Sequence, residues 1–371
     1  IVFKEIEYIP ALLNIFNEIL VNARDQIVRL EQSNDPNIHK VTNLKIKFNN
    51  NNITVSNDGN GISVEEHKKE KMFIPQLIFG ELLTSSNYNK DEKKIVGGKN
   101  GYGAKLTNIF SELFTLTTVD HMNEKKYIQT WEKNMTKCNK PSIRKFTNKP
   151  FTEISWDLDF KRFGIEKYSD EMISLMYRRV YDIAGITDKK VNVYLNDEKI
   201  KIKSFADYVK LYIGDKKYIH EKISDRWEVV LTTSDNDTFE QLSFVNGICT
   251  SKGGSHVDYI TKLISKQLID TIKKRYKKDV TDKVIKRYIS IYLNSVIENP
   301  SFDSQTKERC ITSPAKFGSK PVLSKKFIKD LCNHQELIDN ILEANSKNEN
   351  KDSKKTDGKK KNKIIVPKLD D

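Results

Sequence analysis

PALLNIFNEILVNARDQIVRL, residues 10–30, is the stretch from which the rest of the chain is read. Leu12, Ile15, Phe16, Ile19, Leu20, Ala23, Ile27 and Leu30 recur at helical spacing and form one apolar stripe. Glu18, Asn22, Asp25 and Arg29 stack in a second, polar row on the opposite side. Two readings of that row stand side by side. It is either a solvated face with mutually paired charges, or a rigid platform for chemistry. In the second reading a carboxylate takes a proton from water. An amide oxygen one turn later is a hard, neutral ligand suited to Mg²⁺.

Downstream of this helix, residues 44–48 and 53–56 alternate like strands and meet across an Asn-rich turn. The second strand runs into Asn57-Asp58-Gly59-Asn60-Gly61. That segment is either a plain turn or a place where paired glycines let the backbone approach a flat ring. A short helix follows within 71–83, and Thr84-Ser85-Ser86-Asn87 end it. Residues 97–103 hold four glycines in seven, and a helix from about Ala104 to Phe110 comes directly after. Such a loop wraps closely round a ligand, and the helix's unpaired N–H groups face it. The spacing is G-x-x-G-x-G, so it matches neither the Walker A loop nor the Rossmann fingerprint. Read alone, it is equally a surface turn. Strand-like stretches at 113–119, 126–132, 152–158 and 191–195 and a helix at 169–183 complete a mixed α+β layer. A second unit begins near 203. It holds strands at 227–233 and 241–246, helices at 255–275 and 323–344, and a segment at 284–298 that suits either strand or helix.

The composition narrows the classes. The chain has 371 residues, 37% hydrophobic and 31% charged, with 64 Lys+Arg against 51 Asp+Glu for a net charge of +13. That length suggests about two domains, and the basic surplus suits an anionic partner. No apolar run approaches the roughly 18 residues of a membrane span, and no signal peptide opens the sequence. Cys138, Cys249, Cys310 and Cys332 fit no zinc spacing and read as reduced thiols. Neither H-E-x-x-H nor G-x-S-x-G occurs, so zinc hydrolysis and serine-type acyl transfer lack support. Residues 347–363 are almost wholly polar and read as a flexible basic linker.

Five segments then stand in one order: Glu18–Asp25, Asn57–Gly61, Leu82–Tyr88, Gly97–Lys105 and Gln305-Thr306-Lys307. Together they resemble the Bergerat (GHKL) ATPases, in the wording of the amino-terminal region of the eukaryotic type II DNA topoisomerases. Phe244–Tyr259 and Glu298–Lys307 are similar to the transducer domain of that family, and Ile365–Asp371 to the junction with its DNA-cleaving core. The resemblance spans the whole chain. It implies a GHKL α/β sandwich over residues 1–202, a mixed α/β transducer over 203–345 and a linker over 346–371. It implies ATP and Mg²⁺ as cofactors. Glu18 matches the general base, Asn22 the metal ligand and Asn57 the adenine contact, where gyrase-like relatives carry Asp. Ser85, Ser86 and Asn87 match ribose and phosphate contacts. Gly98, Lys99, Asn100, Gly101, Tyr102, Gly103, Ala104 and Lys105 match the lid over the triphosphate. Gln305, Thr306 and Lys307 match the transducer loop that reaches the γ-phosphate.

The same resemblance implies a nuclear homodimer acting on double-stranded DNA, with no membrane partner. Lys273, Lys274, Arg275, Lys277 and Lys278 match its DNA-facing lysine loop. It places a dimer-swapping strap ahead of Ile1 and the DNA-linking tyrosine beyond Asp371, so that this chain alone does not cut DNA. Arg24 and Gln26 depart from the small residue and the Asn expected there. A different Bergerat protein and a non-catalytic nucleic-acid-binding module are the competing readings. The first is disfavoured by the 244–259 and 298–307 wording, and the second is separated by ATP turnover.

Overall fold

The structure, a computed structural model, describes residues 2, 4–81, 95 and 103–356. Helix α1 (Pro10–Gln32) starts with proline at a position where the missing N–H is no loss. Its stripe is buried, with Phe16, Ile19 and Leu20 wholly so. A hairpin of β1 (Asn43–Asn49) and β2 (Asn52–Asn57) follows. Next come α2 (Ile74–Gly80), α3 (Gly103–Ile109), β3 (Ser111–Asp120), β4 (Lys125–Glu132), β5 (Lys137–Cys138), β6 (Ser142–Lys145) and β7 (Phe151–Leu158). The first unit ends with α4 (Asp170–Ile186), β8 (Asn192–Leu195) and β9 (Glu198–Lys199).

The strand order of this sheet is β5-β4-β3-β7-β2-β1-β8-β9, with β6 pairing β4. Among the described residues, only the β1–β8 pair in it is parallel. Along β2 every second residue (Ile53, Val55 and Asn57) is buried, as the two-residue period of a half-covered sheet requires. These residues share the core of α1 and α4, where Phe16, Trp156, Phe114 and Met176 pack. Asn57 therefore lies on the helix-facing side of the sheet, in line with two apolar neighbours.

The second unit begins with α5 (Phe205–Ile213), capped by Ser204, whose hydroxyl accepts from the Asp207 N–H at 3.1 Å. It continues with β10 (Tyr218–Ser224), β11 (Trp227–Thr233), β12 (Glu240–Val245), β13 (Ile248–Cys249), α6 (Ser255–Tyr276), α7 (Asp282–Arg287) and β14 (Ile289–Ser295). The last helices are α8 (Lys325–Cys332) and α9 (Gln335–Thr356). Its sheet runs β10-β11-β14-β12-β13, with β12 parallel to β14. Adjacent residues of β11 serve opposite cores. Val229 and Leu231 pack with α6, α8 and α9, whereas Val230 joins Phe205, Tyr208 and Phe244 in the core of the first unit. Through α5 and this sheet face the two units share apolar packing.

Two stretches resolve differently from the sequence reading. Residues 284–298 divide into the end of α7 and the strand β14, with Tyr288 between them. The single helix expected over 323–344 is two, broken at Asn333-His334, where the His334 ring accepts from the Leu337 N–H at 3.3 Å. Helix α9 also runs through Thr356, into the stretch read as a linker. No helix among the described residues is long and apolar enough to cross a membrane, and all four cysteines are free.

Candidate active site

Glu18 projects from the middle of α1 and meets a residue from the far end of the chain. The Lys307 ammonium donates to Glu18 Oε1 at 3.0 Å, with both side chains largely withdrawn from solvent (14% and 17% exposed). Lys307 has a left-handed backbone, φ +58°, and its N–H bonds the Ser304 carbonyl at 3.2 Å. This tight turn aims the lysine at α1. The first residue of α3 closes the other side of Glu18. A Cβ on Gly103 would lie 1.9 Å from Glu18 Oε2, so a side chain there would displace the Glu18 carboxylate.

Asn22 lies one turn after Glu18, half-buried, and its amide makes no hydrogen bond among the described residues. No cluster of three or more His, Cys, Asp or Glu forms a metal cage among the described residues. A cation held at Asn22 would take one neutral protein oxygen and otherwise water and phosphate oxygens, a ligand set that suits Mg²⁺. At the end of β2, Asn57 is buried and its Oδ1 has no hydrogen-bond partner among the described residues. Such an orphan acceptor is rare in a native interior, and it fits a ligand that brings a donor. Lys105, in the first turn of α3, is almost wholly buried. Desolvation lowers its pKa to about 8, and the charge of Glu81 opposes that shift.

A family model described as DNA gyrase B matches residues 192–361. DNA topoisomerase 2-alpha from Homo sapiens is 44% identical over 382 residues, covering 100% of this chain and 24% of the relative. DNA topoisomerase 2 from Saccharomyces cerevisiae is 41% identical over 389 residues, covering 99% of this chain and 27% of the relative. The solved ATPase region of Saccharomyces cerevisiae topoisomerase II superposes with a TM-score of 0.85 at 41% identity, covering 93% of this chain and 89% of that one. This chain belongs to the type II DNA topoisomerases. It matches their ATPase region and spans about a quarter of the length of the curated relatives. The ATPase and transducer domains of DNA topoisomerase II from Balamuthia mandrillaris give a TM-score of 0.86 at 37% identity, covering 92% of this chain and 87% of that one. The mixed α/β architecture is thus that of the topoisomerase ATPase and transducer domains.

In this topoisomerase region the 57–61 turn is held by its own hydrogen bonds and by the neighbouring strand. The Asp58 carboxylate is held below its usual range by hydrogen bonds from Thr42 and Asn43, which outweigh its desolvation. Asn60 accepts from the His39 N–H at 2.7 Å. A Cβ on Gly61 would stand 1.8 Å from the Val119 carbonyl oxygen. The neighbouring strand therefore demands glycine here. The polar row on α1 is not a solvated face either. Asp25 is buried, and beside it lies Arg24, whose guanidinium burial drives below its normal value.

Gln305 and Thr306 are exposed, and the Thr306 hydroxyl bonds Ser304 at 2.8 Å. Ser85, Ser86, Asn87, Gly98, Lys99, Asn100, Gly101 and Tyr102 lie outside the described residues. Lys273, Lys274 and Lys277 line an open pocket with Asp270 and Asp279 at the end of α6. Lys273 pairs with Asp279 at 2.8 Å. Arg275 instead turns to the end of α8 and bonds the Cys332 carbonyl at 2.7 Å. Sequence reasoning passed over Arg179, Asp182, Tyr208 and the Asn246-Gly247 turn, which lie where the two units meet. The Asn-Gly dipeptide between β12 and β13 was a legible hairpin signal.

Proposed function

We propose that this chain binds ATP with Mg²⁺ beside α1 and hydrolyses it, as the motor of a type II DNA topoisomerase. The single observation that carries this reading is the 3.0 Å pair between Lys307 and Glu18, which brings a base and a cation from different units to one point. Glu18 acts as general base and takes the proton of the water that attacks the γ-phosphorus. While paired, its carboxylate is engaged by an ammonium. A triphosphate offers Lys307 another anion. Glu18 is then free to accept a proton, and positive charge stands where the transferred phosphoryl group builds negative charge.

Asn22 would hold Mg²⁺, which when bound neutralises phosphate oxygens. The open carbonyl of Asn57 receives the adenine amino group. Ser85, Ser86 and Asn87 are assigned to ribose and phosphate, and residues 98–105 to the lid over the triphosphate. Gln305 and Thr306 accompany Lys307 to the γ-phosphate. Because the base and the lysine sit on different units, gain or loss of the γ-phosphate changes the force between those units. ATP binding thereby closes the amino-terminal gate of a homodimer, and hydrolysis reopens it as one DNA duplex passes through another.

In this reading residues 1–202 are the ATPase domain, 203–345 the transducer and 346–371 the linker. DNA cleavage is assigned to the remaining length of the relatives, and the protein works in the nucleus. Lys273, Lys274 and Lys277, with Arg275 and Lys278 beside them, provide phosphate contacts indifferent to sequence. The test is Glu18→Ala. Hydrolysis is expected to vanish while affinity for a non-hydrolysable ATP analogue stays within a few-fold. Weakened binding with normal turnover of each bound ATP would contradict the role given to Glu18.

A further inference from the structure

Arg179 of α4 is buried and reaches three acceptors at once. Its Nε donates to Asn17 Oδ1 at 2.9 Å, one residue before Glu18 on α1. Its Nη1 pairs with Asp182, which also accepts from the Tyr208 hydroxyl at 2.5 Å. Its Nη2 donates to the Gly247 carbonyl at 3.4 Å, in the turn between β12 and β13. Arg24 of α1 lies against the same glycine, with its Cδ 2.9 Å from where a Cβ would stand.

That turn holds the segment carrying Lys307 at both ends. At the start, the Asn246 side chain exchanges two hydrogen bonds with the Ile297 backbone, at 2.8 and 2.9 Å. At the finish, just beyond β13, Lys252 reaches Glu308 with its ammonium at 2.6 Å and with its N–H at 3.0 Å. A shift of the β12–β13 hairpin therefore carries Lys307 with it. Arg179 is a polar group that joins this hairpin to the helix bearing Glu18.

We propose that Arg179 is a positioning residue for ATP hydrolysis, which sets the reach of the Lys307 loop by tying the Asn246-Gly247 turn to α1. The proposal rests on the ATPase reading above. A planar, forked guanidinium can span three acceptors in fixed directions, whereas an ammonium cannot. Arg179→Lys keeps a cation beside the buried Asp182, so it avoids stranding a buried charge, but it breaks the span between Asn17 and Gly247.

The test compares Arg179→Lys with Tyr208→Phe in the complete protein. Tyr208→Phe removes a hydrogen bond from the far side of Asp182 and leaves the span intact. Arg179→Lys is expected to lower kcat tenfold or more, with KM for ATP within twofold and a Tm loss no larger than that of Tyr208→Phe. Tyr208→Phe is expected to keep kcat within twofold. In a Lys307→Ala background, Arg179→Lys is expected to add less than twofold, because both act through one loop. The proposal is overturned if Arg179→Lys leaves kcat within twofold, if its loss multiplies fully with that of Lys307→Ala, or if Tyr208→Phe causes an equal loss. Should Arg179→Lys not fold, Asn246→Ala tests the same connection from the transducer side by the same criteria. Absence of turnover in the unaltered protein would instead overturn the ATPase reading.

Discussion

Lys307 and Glu18 stand 289 positions apart in sequence and 3.0 Å apart in space. The ion pair is largely withdrawn from solvent, so the cost of desolvating both groups offsets much of their attraction and its net contribution to stability is small. Glu18→Gln is expected to move Tm by only a few degrees and to reduce ATP turnover by at least 100-fold. Calorimetric melting and a turnover assay on the same sample check both halves.

Gly103 separates folding from chemistry. An added methyl would press on the Glu18 carboxylate, whose far end is able to rotate away. Gly103→Ala is expected to keep the fold and to lower kcat tenfold or more. Gly61→Ala is different, because the clash is with the Val119 backbone carbonyl, which has no room to yield. A loss of about 3 kcal/mol or more is expected by denaturant unfolding, in the range of strained backbone and overpacked sites.

Much of this site was legible because its elements are local. The helix at 10–30 announced itself through eight apolar positions at helical spacing behind Pro10, and β1 and β2 through alternation around an Asn-rich turn. Its surroundings were not legible. Asp25 reads as the exposed side of an amphipathic helix, yet it is buried, and the Gly247 turn of the other unit packs against its neighbour Arg24. Spacing within a helix reveals which residues share a face, not what packs on it. The close approach at Gly61 was not legible for the same reason, since the carbonyl that excludes a side chain belongs to β3. The capping pair Ser204 and Asp207 was written in the sequence as a helix start, but the short α5 behind it was not read.

Asn57 is expected to trade stability for binding. Its Oδ1 is buried without a partner among the described residues, and an unmet buried acceptor costs about 1–3 kcal/mol. Asn57→Leu removes that acceptor at similar volume. Tm is expected to stay level or rise, while affinity for a non-hydrolysable ATP analogue falls tenfold or more by titration calorimetry.

Lys105 gives a pH signature. Burial brings its pKa to about 8, below the ordinary lysine value of 10.5. Between these values the unfolded chain holds more protons than the folded one, so this residue's contribution to stability rises as pH climbs through that window. A bound triphosphate favours the charged form and reverses the shift. Nucleotide binding at about pH 8.5 is therefore expected to take up a proton. Calorimetry in buffers of different ionisation enthalpy detects that uptake, and Lys105→Met is expected to abolish it.

The basic end of α6 is expected to act through phosphate charge alone. Replacing Lys273, Lys274 and Lys277 together with alanine should weaken DNA binding similarly for unrelated sequences. The salt slope should become shallower by about 0.9 for each phosphate that no longer meets a lysine. Binding titrations of the complete protein at several salt concentrations measure both.

The most direct measurement compares the affinity of a non-hydrolysable ATP analogue with that of ADP, in the unaltered protein and in Lys307→Ala. If base and lysine share one triphosphate pocket, the unaltered protein prefers the triphosphate, and the preference collapses towards unity when the lysine is removed. An undiminished preference in Lys307→Ala would mean that the lysine does not meet the γ-phosphate, and the account of how the two units communicate would be wrong.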